Sequence, residues 1–348
     1  MLNDIVKPLT EWYRQNKRSL PWRDRHNAYY TWVSEIMLQQ TRVEAVKPYF
    51  RRFTEELPDP AALAECPEEK LLKLWEGLGY YNRVRNMQIA AQTVVEEYDG
   101  VLPASYEKLL SLKGIGSYTA GAIASIAYDI PVPAVDGNVL RVITRIIEDD
   151  GDIMKQSVKK RIENKLQEIM PGGYPGDFNQ ALMELGAVVC VPNGEPKCDV
   201  CPVAFCCGAR AHGTIDRFPV KAQKKDRKLE DRTVLVIQDG EKTAIRRRPS
   251  RGLLAGLYEL PNLKGHLSEE EVLESVKAMD LEPLRIEALP EAKHIFSHIE
   301  WRMTAYRVRV SSLEEIRQND LLFVGKRQSD DQYAIPSAFS AYTKYIRE

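Results

Sequence analysis

The side chains best suited to chemistry are two carboxyls far apart in the chain, Glu35 and Asp136. Glu35 lies in WVSEIML, with apolar residues on both sides. A carboxyl in such surroundings has its pKa raised and stays protonated near neutrality, as a general acid must. Asp136 precedes Gly137, Asn138 and an apolar-periodic run (Val139, Leu140, Val142, Ile143, Ile146), the pattern of a helix N-cap. Cap N–H bonds and the helix dipole favour the charged carboxylate, so its pKa is expected to fall. An acid paired with an anion is what glycosidic cleavage needs: a proton for the leaving group and a negative charge for an oxocarbenium-like sugar.

Sulfur forms the second constellation. Cys190, Cys198, Cys201, Cys206 and Cys207 crowd one short stretch, and clustered thiols of this kind read as metal ligands. Their spacing is not that of a zinc ribbon with two C-x2-C pairs, so zinc and iron–sulfur both remain open on chemistry alone. A third feature is Gly114-Ile115-Gly116, set before the helical run SYTAGAIASIAY. A glycine turn into a helix leaves N–H groups and the positive helix end outward, a holder for an anion such as a phosphate.

Helices must carry these groups. Ile5, Leu9, Trp12 and Tyr13 fall at helical spacing before Asn16, and Trp32, Val33, Ile36, Met37 and Leu38 do so around Glu35. Further helices are expected over 54–110, punctuated by Pro58, Pro60 and Pro67, and over Lys155–Val191 around the MPGGYPGD turn. WEGLGYYNRVRNM offers a glycine turn with two aromatics and Arg83 and Arg85 behind it, a combination suited to bases and phosphates. After the polar, lysine-rich connector the pattern changes. RTVLVIQD, TAIRRRP, LYELP and MTAYRVRV have strand composition and SEEEVLESVKAM reads as a helix, so a second domain of α+β type is expected.

LKGIGSYTAG followed by the VDGN aspartate resembles the helix-hairpin-helix DNA glycosylases, and within them the adenine DNA glycosylases of the MutY type. SEIMLQQT, PWR, LGYYNRVRN and FSH extend the resemblance over nearly all of the chain. It implies that Glu35 protonates adenine at N7 and that Asp136 stabilises or traps the deoxyribose cation, with Asn138 orienting the groups and Tyr118 lining the sugar pocket. It also implies that Trp22, Arg23, Leu38, Gln40 and Thr41 face DNA, that Tyr80 intercalates, that Gly114 and Gly116 hold a phosphate, and that Gln180 touches the flipped base. Phe296, Ser297 and His298 match the loop that senses oxidised guanine. Lyase members such as endonuclease III carry lysine where this chain has Tyr118, so a monofunctional enzyme is implied. The family's four-iron, four-sulfur cluster falls on Cys190, Cys198, Cys201 and Cys207. The first cysteine gap, VPNGEPK, is one residue longer than the family's, and Cys206 competes with Cys207 for the fourth position.

The implied fold class is mainly α: an all-α helix-hairpin-helix glycosylase domain with an iron–sulfur loop, plus a C-terminal α+β Nudix-like domain. The domains expected are 1–210 (a six-helix barrel module about 22–135, and a cluster module of 1–21 with 136–210), a basic linker 211–230, and a Nudix-like lesion-recognition domain 231–348. SEEEVLES lacks the REx2EE pattern of Nudix hydrolases, so nucleotide hydrolysis is not expected.

A net charge of −1 over 348 residues gives no global basic signature, although residues 1–53 hold ten Lys or Arg against five Asp or Glu. The start has no signal pattern and no apolar run is of membrane length, so a cytoplasmic, nucleoid-associated monomer is expected, acting on double-stranded DNA with A:8-oxoguanine or A:G mispairs. Two other readings compete: an endonuclease III-like glycosylase and lyase on oxidised pyrimidines, and a non-catalytic iron–sulfur DNA-binding protein.

Overall fold

The computed structural model describes residues 2–23, 27–222, 226–240, 242–311 and 321–346. Gln223, Lys224 and Lys225 of the basic connector lie outside the described residues. Two compact units emerge: Met1–Cys66 with Arg85–Gln223, and Pro67–Val84 with Lys224–Glu348.

In chain order the helices are α1 (Val6–Asn16), α2 (Ala28–Leu38), α3 (Val43–Glu56), α4 (Pro60–Glu65), α5 (Glu68–Leu74), α6 (Asn82–Glu97) and α7 (Tyr106–Ser111). There follow α8 (Ser117–Tyr128), α9 (Gly137–Ile147), α10 (Gln156–Gln167), α11 (Pro175–Val188) and α12 (Gly208–Ala211). α13 (Glu269–Lys277), α14 (Lys326–Gln332) and α15 (Ser340–Thr343) complete them.

In the first unit, the Asn27 side chain caps α2 by accepting from the Tyr30 N–H at 3.0 Å. α2 is buried on nearly all sides, from Thr31 through Met37, as an all-round apolar helix must be. It packs on α8, which on another side comes close to the following segment: a Cβ at Gly121 would lie 2.3 Å from the Pro133 carbonyl oxygen. That contact fixes the Pro131–Val135 segment leading into Asp136. Asn179 supports the same segment from α11, accepting from the Ala134 N–H at 3.0 Å and donating to the Val132 carbonyl at 2.9 Å. Ile5, Leu9 and Tyr13 from the N-terminal helix join Val139, Ile143, Ile162, Phe178, Leu182 and Leu185 in one core. α1 is thus fastened to α9, α10 and α11, and chain-distant segments frame the site together.

The second unit is built on a seven-stranded mixed sheet: β1 (Lys228–Gln238), β2 (Lys242–Arg247), β3 (Tyr258–Glu259), β4 (Asn262–Lys264), β5 (Pro283–Ile295), β6 (Ile299–Val310) and β7 (Leu321–Gly325). The order is β3-β2-β1-β6-β5, with β4 on β1 and β7 on β2; β1 and β6 run parallel, Val234 opposite Ala305. Val234 and Val236 enter a core with Trp301, Met303 and Phe339, whereas Leu235 and Ile237 face Val272 and Val276 of α13 on the other side. Covered on both faces, β1 is buried continuously from Thr233 to Gln238. β4, β5 and β7 are not among the expected strands. β5 is an edge strand with no fully buried residue, so it carries no clean period-two signal. Among the described residues no helix is long and apolar enough to cross a membrane.

Candidate active site and cysteine centre

Glu35 lies near the end of α2, 6% exposed, and accepts a hydrogen bond from the Tyr118 hydroxyl of α8. The same hydroxyl lies 3.9 Å from Met183 Sδ. Burial raises the Glu35 pKa to about 7; the Tyr118 bond and the Arg23 charge restrain that rise, and the nearby negative charge of Asp136 adds to it. The acid form is available near neutrality.

Asp136 caps α9, as its spacing predicts: Oδ1 accepts from the Val139 N–H at 2.7 Å and Oδ2 from Asn138 Nδ2 at 2.7 Å. Its ionisation corrects the sequence expectation. Burial pushes the Asp136 carboxyl above its ordinary value, and the cap bonds and the Arg141 charge only reduce the rise. The helix end supplies donors, but the same fold removes water, and the loss of water wins. Asn138 is itself held by Arg141, whose guanidinium donates to Asn138 Oδ1 (2.9 Å), the Gly186 carbonyl (2.7 Å) and the Cys190 carbonyl (2.8 Å). A Cβ at Gly186 would sit 2.6 Å from that of Asn138, so the approach requires glycine. One arginine therefore ties the orientation of the aspartate to the cysteine loop.

Glu35, Tyr118, Asp136 and Asn138 all line one cleft of about 2590 Å³, counting space open to solvent, ample for a purine nucleoside. Trp22, Arg23, Leu38, Gln40, Thr41 and Gln180 line it too. Gln40 is exposed in the turn leaving α2, at φ 62°. Trp22 is mostly packed, its ring edge-on to Phe50 at 5.4 Å. Gln180 donates to the Gly176 carbonyl at 3.3 Å.

Arg23 is engaged within the protein. Its Nη2 donates to Glu184 Oε2 at 2.8 Å and its Nη1 to the Arg18 carbonyl at 3.1 Å. Glu184, 1% exposed, also accepts from Arg18 Nε at 2.7 Å and from the Arg18 backbone N–H at 3.1 Å. Burial alone would raise the Glu184 carboxyl; the Arg18 and Arg23 bonds and charges reverse this and hold it at about 2. Sequence reading missed Glu184 and Arg18. The signal was Gln180, one helical turn earlier on the same face of α11.

The glycine turn is a close packing point. Gly114 has φ 80°, and a Cβ there would fall 2.7 Å from the Asn86 Cβ. Gly116 is the N-cap of α8, with no side chain spent on the cap. The α8 N–H groups are thus left for another acceptor.

Cys190, Cys198, Cys201 and Cys207 line one pocket of about 410 Å³, counting space open to solvent, walled by Val142, Ile146, Leu185 and Val189. Cys206 is not part of that lining; its thiol lies 3.4 Å from the Val203 carbonyl. Arg145 donates to Cys190 Sγ at 3.2 Å and to the Val191 carbonyl at 3.1 Å. Within the first gap Gly194 has φ 77°, and the loop closes where the Lys197 N–H meets the Val189 carbonyl at 3.0 Å. Burial pushes the Cys201 thiol up to about 12. Among the described residues, no three Cys, His, Asp or Glu side chains converge on a point suited to a single ion.

In the second unit Tyr80 stands 49% exposed at φ 47°. Phe296, Ser297 and His298 form the tight turn from β5 to β6, closed by the Phe296 N–H on the Ile299 carbonyl at 2.8 Å. Phe296 is half-buried against Trp301 (ring centroids 5.0 Å apart), while Ser297 and His298 are exposed at the tip.

Residues 33–171 match the HhH-GPD superfamily of base excision DNA repair proteins, and residues 233–345 match a NUDIX domain. The chain is 36% identical to the adenine DNA glycosylase of Mus musculus, over 86% of this chain and 69% of the mouse protein. It is 31% identical to that of Buchnera aphidicola, over 87% of this chain and 86% of the relative. Among solved structures, a thermostable thymine-DNA glycosylase superposes with a TM-score of 0.54 at 26% identity, covering 60% of this chain and 96% of that one. Fold and cleft together define a DNA glycosylase of the helix-hairpin-helix, base-excision class. Within that class, the chain belongs to the adenine DNA glycosylase family.

Proposed function

We propose that the protein removes adenine mispaired with 8-oxoguanine or guanine in double-stranded DNA, flipping the nucleotide into the cleft and hydrolysing its N-glycosidic bond. The observation that carries the reading is the convergence of Glu35 and Asp136, with Tyr118 and Asn138, on that one cleft. Glu35, protonated up to about pH 7, donates its proton to N7 of the departing adenine. As the bond breaks, positive charge develops on the sugar, and Asp136, held through Val139 and Asn138, stabilises it. Tyr118 keeps the Glu35 carboxyl oriented and supplies no amine, so no Schiff base forms and the strand stays intact. Gln40 and Thr41, beside Leu38, fill the space left by the extruded base.

Cys190, Cys198, Cys201 and Cys207 suit a [4Fe–4S] cluster. The four thiols line one pocket, and their C-x7-C-x2-C-x5-C spacing resembles the family's cluster loop, which supports the assignment. When bound, the cluster cross-links the 190–207 loop and neutralises its thiolates; base removal needs no electron from it. The protein acts as a monomer on chromosomal DNA in the cytoplasm.

A glycosylase assay on duplexes carrying A:8-oxoguanine, A:G and A:C tests this directly. Strand breaks are expected at A:8-oxoguanine and A:G only after alkali is added. Efficient breakage without alkali, or covalent trapping by borohydride, would overturn the monofunctional assignment.

A further inference from the structure

Residues 67–84 interrupt the helical unit in sequence but group with the C-terminal residues in space. The attachment is specific. Lys73 Nζ donates to the carbonyls of Tyr333 (3.0 Å) and Ser329 (3.4 Å) and pairs with Glu76 at 2.6 Å. Glu76 in turn accepts the Ile335 N–H at 2.8 Å. The segment they grip is stitched to the sheet: the Tyr258 N–H bonds the Ala334 carbonyl at 3.1 Å, and the Tyr258 and Tyr333 rings meet edge-on at 4.6 Å. Tyr258 also donates its hydroxyl to Glu69 at 3.2 Å.

At its far end the segment presents Tyr80. Trp75 Nε1 donates to the Gly79 carbonyl at 3.1 Å, and Arg83 Nη2 donates to the carbonyls of Leu78 (3.0 Å) and Gly79 (3.1 Å). The Arg83 guanidinium lies 5.3 Å from the Trp75 ring and 5.7 Å from that of Tyr80. The turn is therefore rigid from α5 to the Tyr80 ring, and α5 is fixed to the sheet that carries the Phe296–His298 turn.

We propose that residues 67–84 are a working part of the lesion-reading unit, and that the Lys73–Glu76 latch on residues 329–335, the end of α14 and the segment after it, positions Tyr80 against the base opposite adenine. This rests on the proposed function and on the family resemblance, which implies that Tyr80 intercalates and that the 296–298 turn senses the oxidised guanine opposite adenine. Lys73 and Glu76 are positioning residues. They touch no substrate, and their effect falls on discrimination between opposite bases.

The test uses the full-length protein and single-turnover excision from A:8-oxoguanine and A:G duplexes, with hydrogen exchange read in parallel. Glu76→Ala is expected to lower the preference for 8-oxoguanine over guanine on the order of tenfold. Glu76→Gln, which keeps an acceptor for the Ile335 N–H, restores most of it. Amides of 72–80 and 333–337 exchange faster in Glu76→Ala, while those of 120–147 are unchanged. Lys73→Met removes the two carbonyl bonds with the stem retained and decides the matter if Glu76→Ala does not fold. Faster exchange with an unchanged preference overturns the latch, as does unchanged exchange. Tyr80→Ala separates the two layers: if it too leaves the preference intact, the reading of Tyr80 fails and the latch falls with it; if it abolishes the preference while Glu76→Ala and Lys73→Met do not lower it, only the latch is wrong.

Discussion

The cleft of the helical unit and the exposed turns of the C-terminal unit hold their key side chains in opposite ways. In the cleft, Glu35 and Glu184 are buried and each has partners inside the protein: Tyr118 for one, Arg18 and Arg23 for the other. At Tyr80 and at Ser297–His298 the side chains are exposed; a backbone bond closes the 296–299 turn, and Trp75 and Arg83 hold the turn at Tyr80 through the Leu78 and Gly79 carbonyls. Acid catalysis needs a desolvated carboxyl, because only the loss of water keeps a proton on it at neutral pH. Reading a base needs side chains that reach it, so rigidity there comes from the chain. The same contrast lies between two carboxyls of the cleft. Burial acts on both Glu35 and Glu184, yet one ends at about 7 and the other at about 2. The difference is the pair of guanidinium groups, and it decides which carboxyl can give a proton.

That contrast can be broken by substitution. Glu35→Gln should lower single-turnover adenine release by about a thousandfold, the scale of a lost general acid, with DNA binding retained in a gel-shift assay; unchanged release would reject the acid assignment. Glu184→Gln removes the buried anion from Arg18 and Arg23, which are only partly buried, and should destabilise the protein by about 2 kcal/mol at pH 7, measured by urea unfolding. The sign follows from the lowered carboxyl: its stabilisation is present above the ordinary glutamate range and is lost as pH falls toward 2. The difference between parent and Glu184→Gln should therefore shrink below about pH 4. At the exposed end, His298→Ala should cost only about 1 kcal/mol of 8-oxoguanine preference, roughly fivefold, with stability unchanged.

Much of the cleft is legible along the chain. The apolar neighbours of Glu35 announce its burial, and the VDGN aspartate before a one-sided helix announces its cap. What Asp136 does once capped is not legible, because donors and desolvation oppose each other and their balance depends on how deeply the fold buries the carboxyl. Glu184 reads as an ordinary helix glutamate, since its partners Arg18 and Arg23 lie far away in sequence. The choice between Cys206 and Cys207 is a matter of direction: adjacent residues point apart, and only Cys207 faces the pocket. The attachment of 67–84 was hidden because its bonds run to residues more than 180 positions later, such as Tyr258 and Ile335.

The central claim is that Glu35 delivers its proton from a buried, Tyr118-bonded carboxyl across the cleft from Asp136. The most direct measurement is the pH dependence of single-turnover adenine release from an A:8-oxoguanine duplex. Because Glu35 must be protonated and Asp136 ionised, the rate should fall tenfold per unit above about pH 7, and should fall at acid pH as Asp136, raised above its ordinary value, takes a proton. A rate that stays level to pH 9, or a descending limb at the ordinary carboxyl value near 4, would contradict it.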